Sequence, residues 1–334
     1  MMNNQETPTN DTFVNNPFAK ASQLVQSVRA ELKKAIIGQD HILDEVLIAF
    51  LAGGHVLLEG VPGLGKTLLV RSLAKTFAGM FSRIQFTPDL MPSDVTGHSV
   101  FDLKAQTFHL HKGPVFTHLL LADEINRAPA KTQAALLEVM QEQSVSLEGK
   151  SESVPLPFMV MATENPIEQE GTYPLPEAQL DRFMFKVMVD YPSTQDEITL
   201  VRQVTQSTRS DILESSNLQK VLSPEQVQAL QKIVTRMPVD DQIIAYAVRL
   251  VHATRNWHGL SIGAGPRASI ALINGARARA LIRGMTFVTP DDVKAIWLPT
   301  LRHRVRLAPE LEIEGYSIDQ VLTDIAQQVD APRS

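Results

Sequence analysis

No cysteine occurs among the 334 residues. That excludes disulfide staples, thiolate-held metals and cysteine nucleophiles. No apolar run approaches the roughly 18 residues of a membrane span. The first residues, Met1-Met2-Asn3-Asn4-Gln5-Glu6-Thr7, lack the basic stretch and apolar block of a secretory signal. A surplus of positive charge is also missing. Against 37 Asp and Glu stand 31 Lys and Arg, so the net charge is −6 and the pI about 5.9. This argues against a broad surface for nucleic-acid backbones, though not against a local one. These absences lead us to expect a cytoplasmic protein. With 44% apolar and 20% charged residues the chain can bury a sizeable core, and its length suggests about two domains.

What the chain does have begins at Gly60-Val61-Pro62-Gly63-Leu64-Gly65-Lys66-Thr67. The apolar run His55–Glu59 precedes it, and an amphipathic stretch from Leu68 to Gly79 follows. Strand, glycine-rich loop and helix are the context in which this spacing cradles phosphate. The glycines let backbone N–H groups converge on phosphate oxygens, and the helix start adds partial positive charge. Lys66 can neutralise β and γ phosphates, and Thr67 can ligate magnesium.

The chain divides into three parts by pattern. Residues 1–17 are polar and read as a disordered tail. Residues 18–191 read as an α/β domain built on a five-stranded parallel sheet, with two helices ahead of the phosphate loop. Hairpins are inserted near 98–111 and 144–155, the second with arms Ser144–Leu147 and Ser153–Leu156. Residues 192–330 read as a small all-helical domain. Its start signals are Ser223-Pro224-Glu225-Gln226, Thr289-Pro290-Asp291-Asp292 and Ser317-Ile318-Asp319-Gln320.

Nucleotide hydrolysis at such a loop needs a metal anchor and a group that activates water. The apolar run Phe116–Ala122 ends in Asp123-Glu124. Asp123 there can hold magnesium through water, and Glu124 can polarise the attacking water. Asn165, ending the next buried strand, can orient that water. Arg182 in Leu180-Asp181-Arg182-Phe183 is either a salt-bridge partner of Asp181 or a charge offered to a neighbouring subunit's γ-phosphate. Arg267 follows Gly265-Pro266 at a helix start, and a helix aimed at the nucleotide would put it on the phosphates. Arg127 reads equally as structural or functional. Arg302-His303-Arg304-Val305-Arg306 is the one basic cluster and reads as a domain or subunit contact.

Together these stretches resemble the AAA+ ATPases, and the MoxR family among them. The matching segments are Ile37-Gly38-Gln39, Leu58–Thr67, Pro92–Gly97, Lys112–Phe116, Ala122–Ala128, Ala162–Pro166 and Gln169–Phe183. The resemblance implies that Gly60 to Thr67 and Asp123 bind ATP and that Glu124, Asn165, Arg182 and Arg267 act in its hydrolysis. In that family pattern these last three hold the sensor 1, arginine-finger and sensor 2 positions. Ile37, Gly38 and Gln39 match the segment that lines adenine, and Thr67 and Asp123 the magnesium site. The resemblance further implies a ring, usually hexameric, and a chaperone-type machine that remodels partner proteins. Many relatives pair with partners carrying a von Willebrand factor A domain. A nucleic-acid motor, a metal-chelatase ATPase subunit and a small-molecule kinase are the competing readings.

Overall fold

The computed structural model describes residues 17–332 except 62, 103–105, 148, 166–170, 207–212 and 214–215. The expected tail up to residue 16 and the loop residue Pro62 therefore lie outside the described residues.

Two helices open the chain, α1 (Pro17–Leu32) and α2 (Asp40–Leu51). Then follow β1 (Val56–Glu59), α3 (Lys66–Thr76), β2 (Phe81–Gln85), α4 (Pro92–Thr96) and the hairpin β3 (Gly97–Asp102) with β4 (Thr107–Lys112). Next come β5 (Leu119–Asp123), α5 (Ala130–Glu142), the hairpin β6 (Ser144–Leu147) with β7 (Lys150–Ser153), β8 (Met159–Glu164), α6 (Glu177–Leu180) and β9 (Phe185–Met188). The remainder is α7 (Thr194–Gln206), α8 (Pro224–Thr235), α9 (Asp241–Arg255), β10 (Leu260–Ile262), α10 (Pro266–Ile282), α11 (Pro290–Ala295), α12 (Trp297–Leu301), β11 (Arg306–Leu307), α13 (Pro309–Ile313) and α14 (Ile318–Gln328).

The main sheet has the order β2-β5-β8-β1-β9, and all its pairings are parallel. Each central strand is buried on both sides, as a parallel sheet covered by helices requires. Successive side chains alternate between two cores. Val56, Leu58, Leu119, Leu121, Met159 and Met161 point into one. Leu57, Leu120, Ala122, Val160 and Ala162 point into the other. The first core runs on without a break through α1 and α2 into the helices after residue 220, where Tyr246, Leu272 and Trp297 are buried. The second is closed by α5, by Val145 of the second hairpin and by Val154 just after it.

The three start signals form as their spacing predicts. Ser223 accepts from the Gln226 N–H while Gln226 accepts from Ser223. Ser317 and Gln320 repeat the pattern. At α11 the Thr289 N–H donates to Asp292 at 3.0 Å. The part after residue 191 is helical as expected, with one addition, the antiparallel pair of β10 and β11.

One hairpin arm lies elsewhere than its pattern suggests. The second arm of the later hairpin is Lys150–Ser153, not Ser153–Leu156, and Leu147 pairs with Lys150. Gly149 takes a left-handed φ of 79°, which lets a tight turn reverse the chain three residues earlier.

Candidate functional site

Parallel strands gather their chain-end residues at one edge, and a crevice opens there. Here β1 delivers Glu59 and the loop to Thr67, β5 delivers Asp123 and Glu124, and β8 delivers Thr163, Glu164 and Asn165. Asp123, Glu124, Thr163, Glu164 and Asn165 line a pocket of about 220 Å³ together with Gly63, Gly65, Lys66, Thr67, Arg83 and Gln85. A larger crevice of about 480 Å³ lies between α6 and the 302–307 segment, but the phosphate loop and the acid pair line the smaller one.

The loop is shaped by its glycines. Gly63 and Gly65 have φ of 88° and 78°, in the left-handed region. At neither would a Cβ meet any atom within 4 Å, so the conformation, not crowding, calls for glycine. Lys66 Nζ donates to the Gly60 carbonyl at 2.8 Å. Burial pushes the Lys66 ammonium below the usual lysine range, and Asp123, Glu124 and Glu59 pull it back up. Poor hydration strengthens its pull on any anion brought close.

The acids are tightly organised. The Thr163 hydroxyl donates to Asp123 Oδ1 at 2.9 Å and accepts the Glu124 N–H at 2.9 Å. Arg83 holds Asp123 Oδ2. Glu124 has a left-handed φ of 54°, a conformation that costs a non-glycine residue about 1 to 3 kcal/mol. Arg127 Nε lies 3.0 Å from Glu124 Oε2. The half-buried Glu164 carboxyl is pushed up by desolvation, opposed by Lys186.

The segment before α2 meets the loop as well. Gln39 Nε2 donates to the Leu64 carbonyl at 3.1 Å. Gly38 has a φ of 71° and packs so closely on Asp196 of α7 that a Cβ would lie 2.5 Å from Asp196 Cβ. Ile37 and Gly38 therefore sit between the phosphate loop and the start of α7.

Arg182 and Arg267 stand elsewhere. They line a cavity of about 270 Å³ with Gly53, Gly54, His55 and Met184. His55 and Met184 precede β1 and β9, and the Met184 N–H bonds the His55 carbonyl. This is the chain-start end of the sheet. β1 has four residues, so roughly 13 Å of strand separates this end from the phosphate loop. The start of α10, with Arg267, does not face the phosphate loop of its own chain. The reason is the basic cluster, which ties the lid to β9. Arg304 bonds Asp181 Oδ1 at 2.7 Å and the Phe183 carbonyl at 2.7 Å. His303 Nε2 lies 3.0 Å from the same carbonyl. Arg302 bonds the Lys186 carbonyl at 3.1 Å and Asp319 at 2.8 Å. Arg267 Nη1 then lies 3.7 Å from Asp181, beside Arg182.

The structure thus gathers Lys66, Thr67, Asp123, Glu124 and Asn165 in one pocket and Arg182 with Arg267 in another. Sequence reasoning passed over Thr163 and Arg83. The signal for Thr163 was its place at a strand end beside Asn165. Arg83 becomes visible only when β2 is paired next to β5. The first pocket suits a nucleotide polyphosphate with a divalent cation. A glycine-shaped loop and a poorly hydrated lysine face the hydroxyl of Thr67 and the carboxylate of Asp123, both hard oxygen donors.

The chain is similar to proteins of known family. Residues 55–185 match the model of the ATPase family associated with various cellular activities (AAA), and residues 252–325 match the AAA lid domain. It is 44% identical to the chaperone MoxR1 of Mycobacterium tuberculosis, over 91% of this chain and 81% of that protein. It is also 44% identical to the uncharacterised protein YeaC of Bacillus subtilis, over 90% and 92%. A crystal structure from Cytophaga hutchinsonii, assigned as an ATPase, superposes with a TM-score of 0.87 at 39% identity, covering 95% of this chain and 97% of that one.

Proposed function

The chain belongs to the MoxR family of AAA+ ATPases, and on that premise we propose that it hydrolyses ATP at sites shared between copies of itself and uses the turnover to remodel partner proteins. The family is a nucleotide-binding ATPase family that includes a named chaperone. The shared site, the ring and the remodelling are our reading.

One observation carries it. The groups that can bind and attack a triphosphate lie at one end of the sheet, and the two arginines that could complete the charge balance lie at the other. A single chain cannot bring both to one nucleotide. In a head-to-tail ring, the arginine face of one copy meets the phosphate-loop face of the next. The ring is proposed as a hexamer from family resemblance.

Within this reading each residue has a task. Backbone N–H groups from Gly60 to Thr67 hold the phosphates and Lys66 neutralises them. Ile37, Gly38 and Gln39 border the base. Thr67 and, through water, Asp123 hold magnesium, which supplies charge neutralisation of the phosphates. Glu124 takes up the proton of the attacking water, and Asn165 orients that water with its amide. Thr163 fixes the Asp123 carboxylate and the backbone of Glu124. Arg182 of a neighbouring copy stabilises the charge that builds on the γ-phosphate, with Arg267 beside it.

The remodelled partners are proposed from family resemblance to include proteins with a von Willebrand factor A domain. We place the activity in the cytoplasm, where ATP is supplied. No described helix is long and apolar enough to cross a membrane.

Arg182→Ala tests the division of labour. It leaves the phosphate loop untouched, so binding of a fluorescent ATP analogue is expected within about twofold of wild type. Turnover is expected to fall by roughly 10³-fold or more, the usual worth of an arginine finger. Full turnover in the folded variant would remove Arg182 from the mechanism.

A further inference from the structure

Arg83 lies on β2, the edge strand, and its register neighbours bring it to the acid pair. Gln85 pairs with Asp123 and Arg83 with Leu121. Residues two apart on a strand share a face, so Arg83 and Gln85 both face the pocket that holds Lys66, Thr67, Asp123 and Glu124. The guanidinium sets two nitrogens on one oxygen. Nη2 lies 2.6 Å from Asp123 Oδ2 and Nε 2.8 Å. The other oxygen, Oδ1, is taken by the Thr163 hydroxyl. Both oxygens of Asp123 are engaged, and any cation that approaches this carboxylate meets a competitor already on it.

The two partners differ in freedom. Asp123 is 13% exposed and fixed by Thr163, whereas the Arg83 side chain is 51% exposed at the pocket mouth. Its further contact, to Gln85 Oε1, is long at 3.5 Å. The carboxylate is anchored and the guanidinium can swing. Arg83 and Lys66 line the same pocket, so a guanidinium leaving Asp123 stays beside whatever binds there. A plain edge-strand ion pair this exposed would contribute little to stability. That role would not depend on metal or phosphate.

We propose that Arg83 is a second cation of the nucleotide site, one that competes with the divalent metal for Asp123 and moves onto the polyphosphate once displaced. This rests on the reading of the pocket as an ATP site. Arginine suits the exchange because its fork serves carboxylate and phosphate oxygens equally well. The site then keeps its charges balanced: Asp123 is paired with either Arg83 or the metal, and Arg83 with either Asp123 or phosphate. Glu124 and Arg127, 3.0 Å apart, form a second acid–arginine pair on the same site.

The test uses the full chain as wild type, Arg83→Gln and Arg83→Lys, each checked for an unchanged circular dichroism spectrum. Two titrations are read. In nucleotide-free protein, Mn²⁺ binding is followed by the loss of its free electron-paramagnetic-resonance signal. In EDTA, binding of a fluorescent ATP analogue is followed by anisotropy. Removing the competitor is expected to tighten Mn²⁺ binding by about threefold to tenfold in Arg83→Gln. Removing the phosphate partner is expected to weaken metal-free ATP binding by a similar factor. Arg83→Lys keeps the charge and is expected to hold metal-free ATP binding within about twofold while still easing Mn²⁺ binding, because it loses the two-nitrogen grip. Should Arg83→Gln fail to fold, the lysine variant carries the metal arm. Unmoved Mn²⁺ titrations in the folded variants would overturn the proposal and leave a structural pair. Wild-type protein that binds no ATP analogue would count against the ATP site itself, while the Mn²⁺ titration would still decide the competition at Asp123.

Discussion

Glu45 and His55 carry opposite pH dependences into the same fold. Burial raises the Glu45 carboxyl from 4.5 to about 7, with Arg302 opposing and Asp319 and Asp44 adding to the rise. The folded chain therefore holds this proton more tightly than the unfolded chain. The stability it contributes is complete below pH 4.5 and is lost as pH rises through about 7. Burial lowers His55 from 6.5 to about 4, opposed by the Met140 carbonyl. Its ring accepts the Val160 N–H on Nδ1 at 3.0 Å, so a second ring proton would meet a donor. That contribution is present above pH 6.5 and is lost as pH falls through about 4. Glu45→Gln is accordingly expected to be more stable than wild type at pH 8 by on the order of 2 kcal/mol, with the gap closing by about pH 4.5. Urea unfolding at the two pH values measures this, and a gap that does not change with pH would contradict it. Residue by residue, Lys66, Thr67, Asp123, Glu124 and Asn165 were legible because chemistry of this kind needs those types at those spacings. Thr163 had only its place at a strand end as a signal, and its bonds to the Asp123 carboxylate and the Glu124 N–H emerge with the fold. Arg83 was not legible, since its partner lies 40 residues away and only strand order brings them together.

Elements were legible where one local signal sets them. The helix starts at Ser223, Thr289 and Ser317 follow from short-range hydrogen bonding. The sheet strands follow from apolar runs of a length suited to burial on both faces. The second arm of the β6–β7 hairpin was misplaced because apolar residues at 154 and 156 suggested a strand, while the turn at Gly149 sets the register. At α11 a local signal also has a distant consequence. Asp292 is fully buried and serves three sets of donors: the Thr289 N–H and hydroxyl on Oδ2, and Arg279 and Arg283 on Oδ1. Asp292→Ala strips the cap and leaves two guanidinium groups facing a buried gap. It is expected to cost about 3 to 5 kcal/mol, seen as a lower melting temperature. A loss under 1 kcal/mol would show that these arginines find water or other partners readily.

At the scale of the molecule, the basic cluster accounts for both the docking of the helical part on the sheet and the place of Arg267. Arg302, His303 and Arg304 fasten the segment after α12 to the carbonyls of Lys186 in β9 and of Phe183 just before it, and this fixes the start of α10 beside Asp181. The basic cluster reads from sequence as a domain or subunit contact, and within the chain it joins the lid to the sheet. Its consequence for Arg267 was not legible, because a helix start can be read from Gly265-Pro266 while its address in space cannot. The central claim is that one copy supplies Glu124 and the next supplies Arg182. Mixing Glu124→Gln with Arg182→Ala tests it most directly, since each variant alone has every site defective. In mixed assemblies some junctions join an intact Glu124 to an intact Arg182. The account predicts that the equimolar mixture regains a clear fraction of wild-type ATP turnover, roughly a quarter if copies assort at random and sites act independently. A mixture as inactive as its two components, with co-assembly verified by differential tagging, would contradict it.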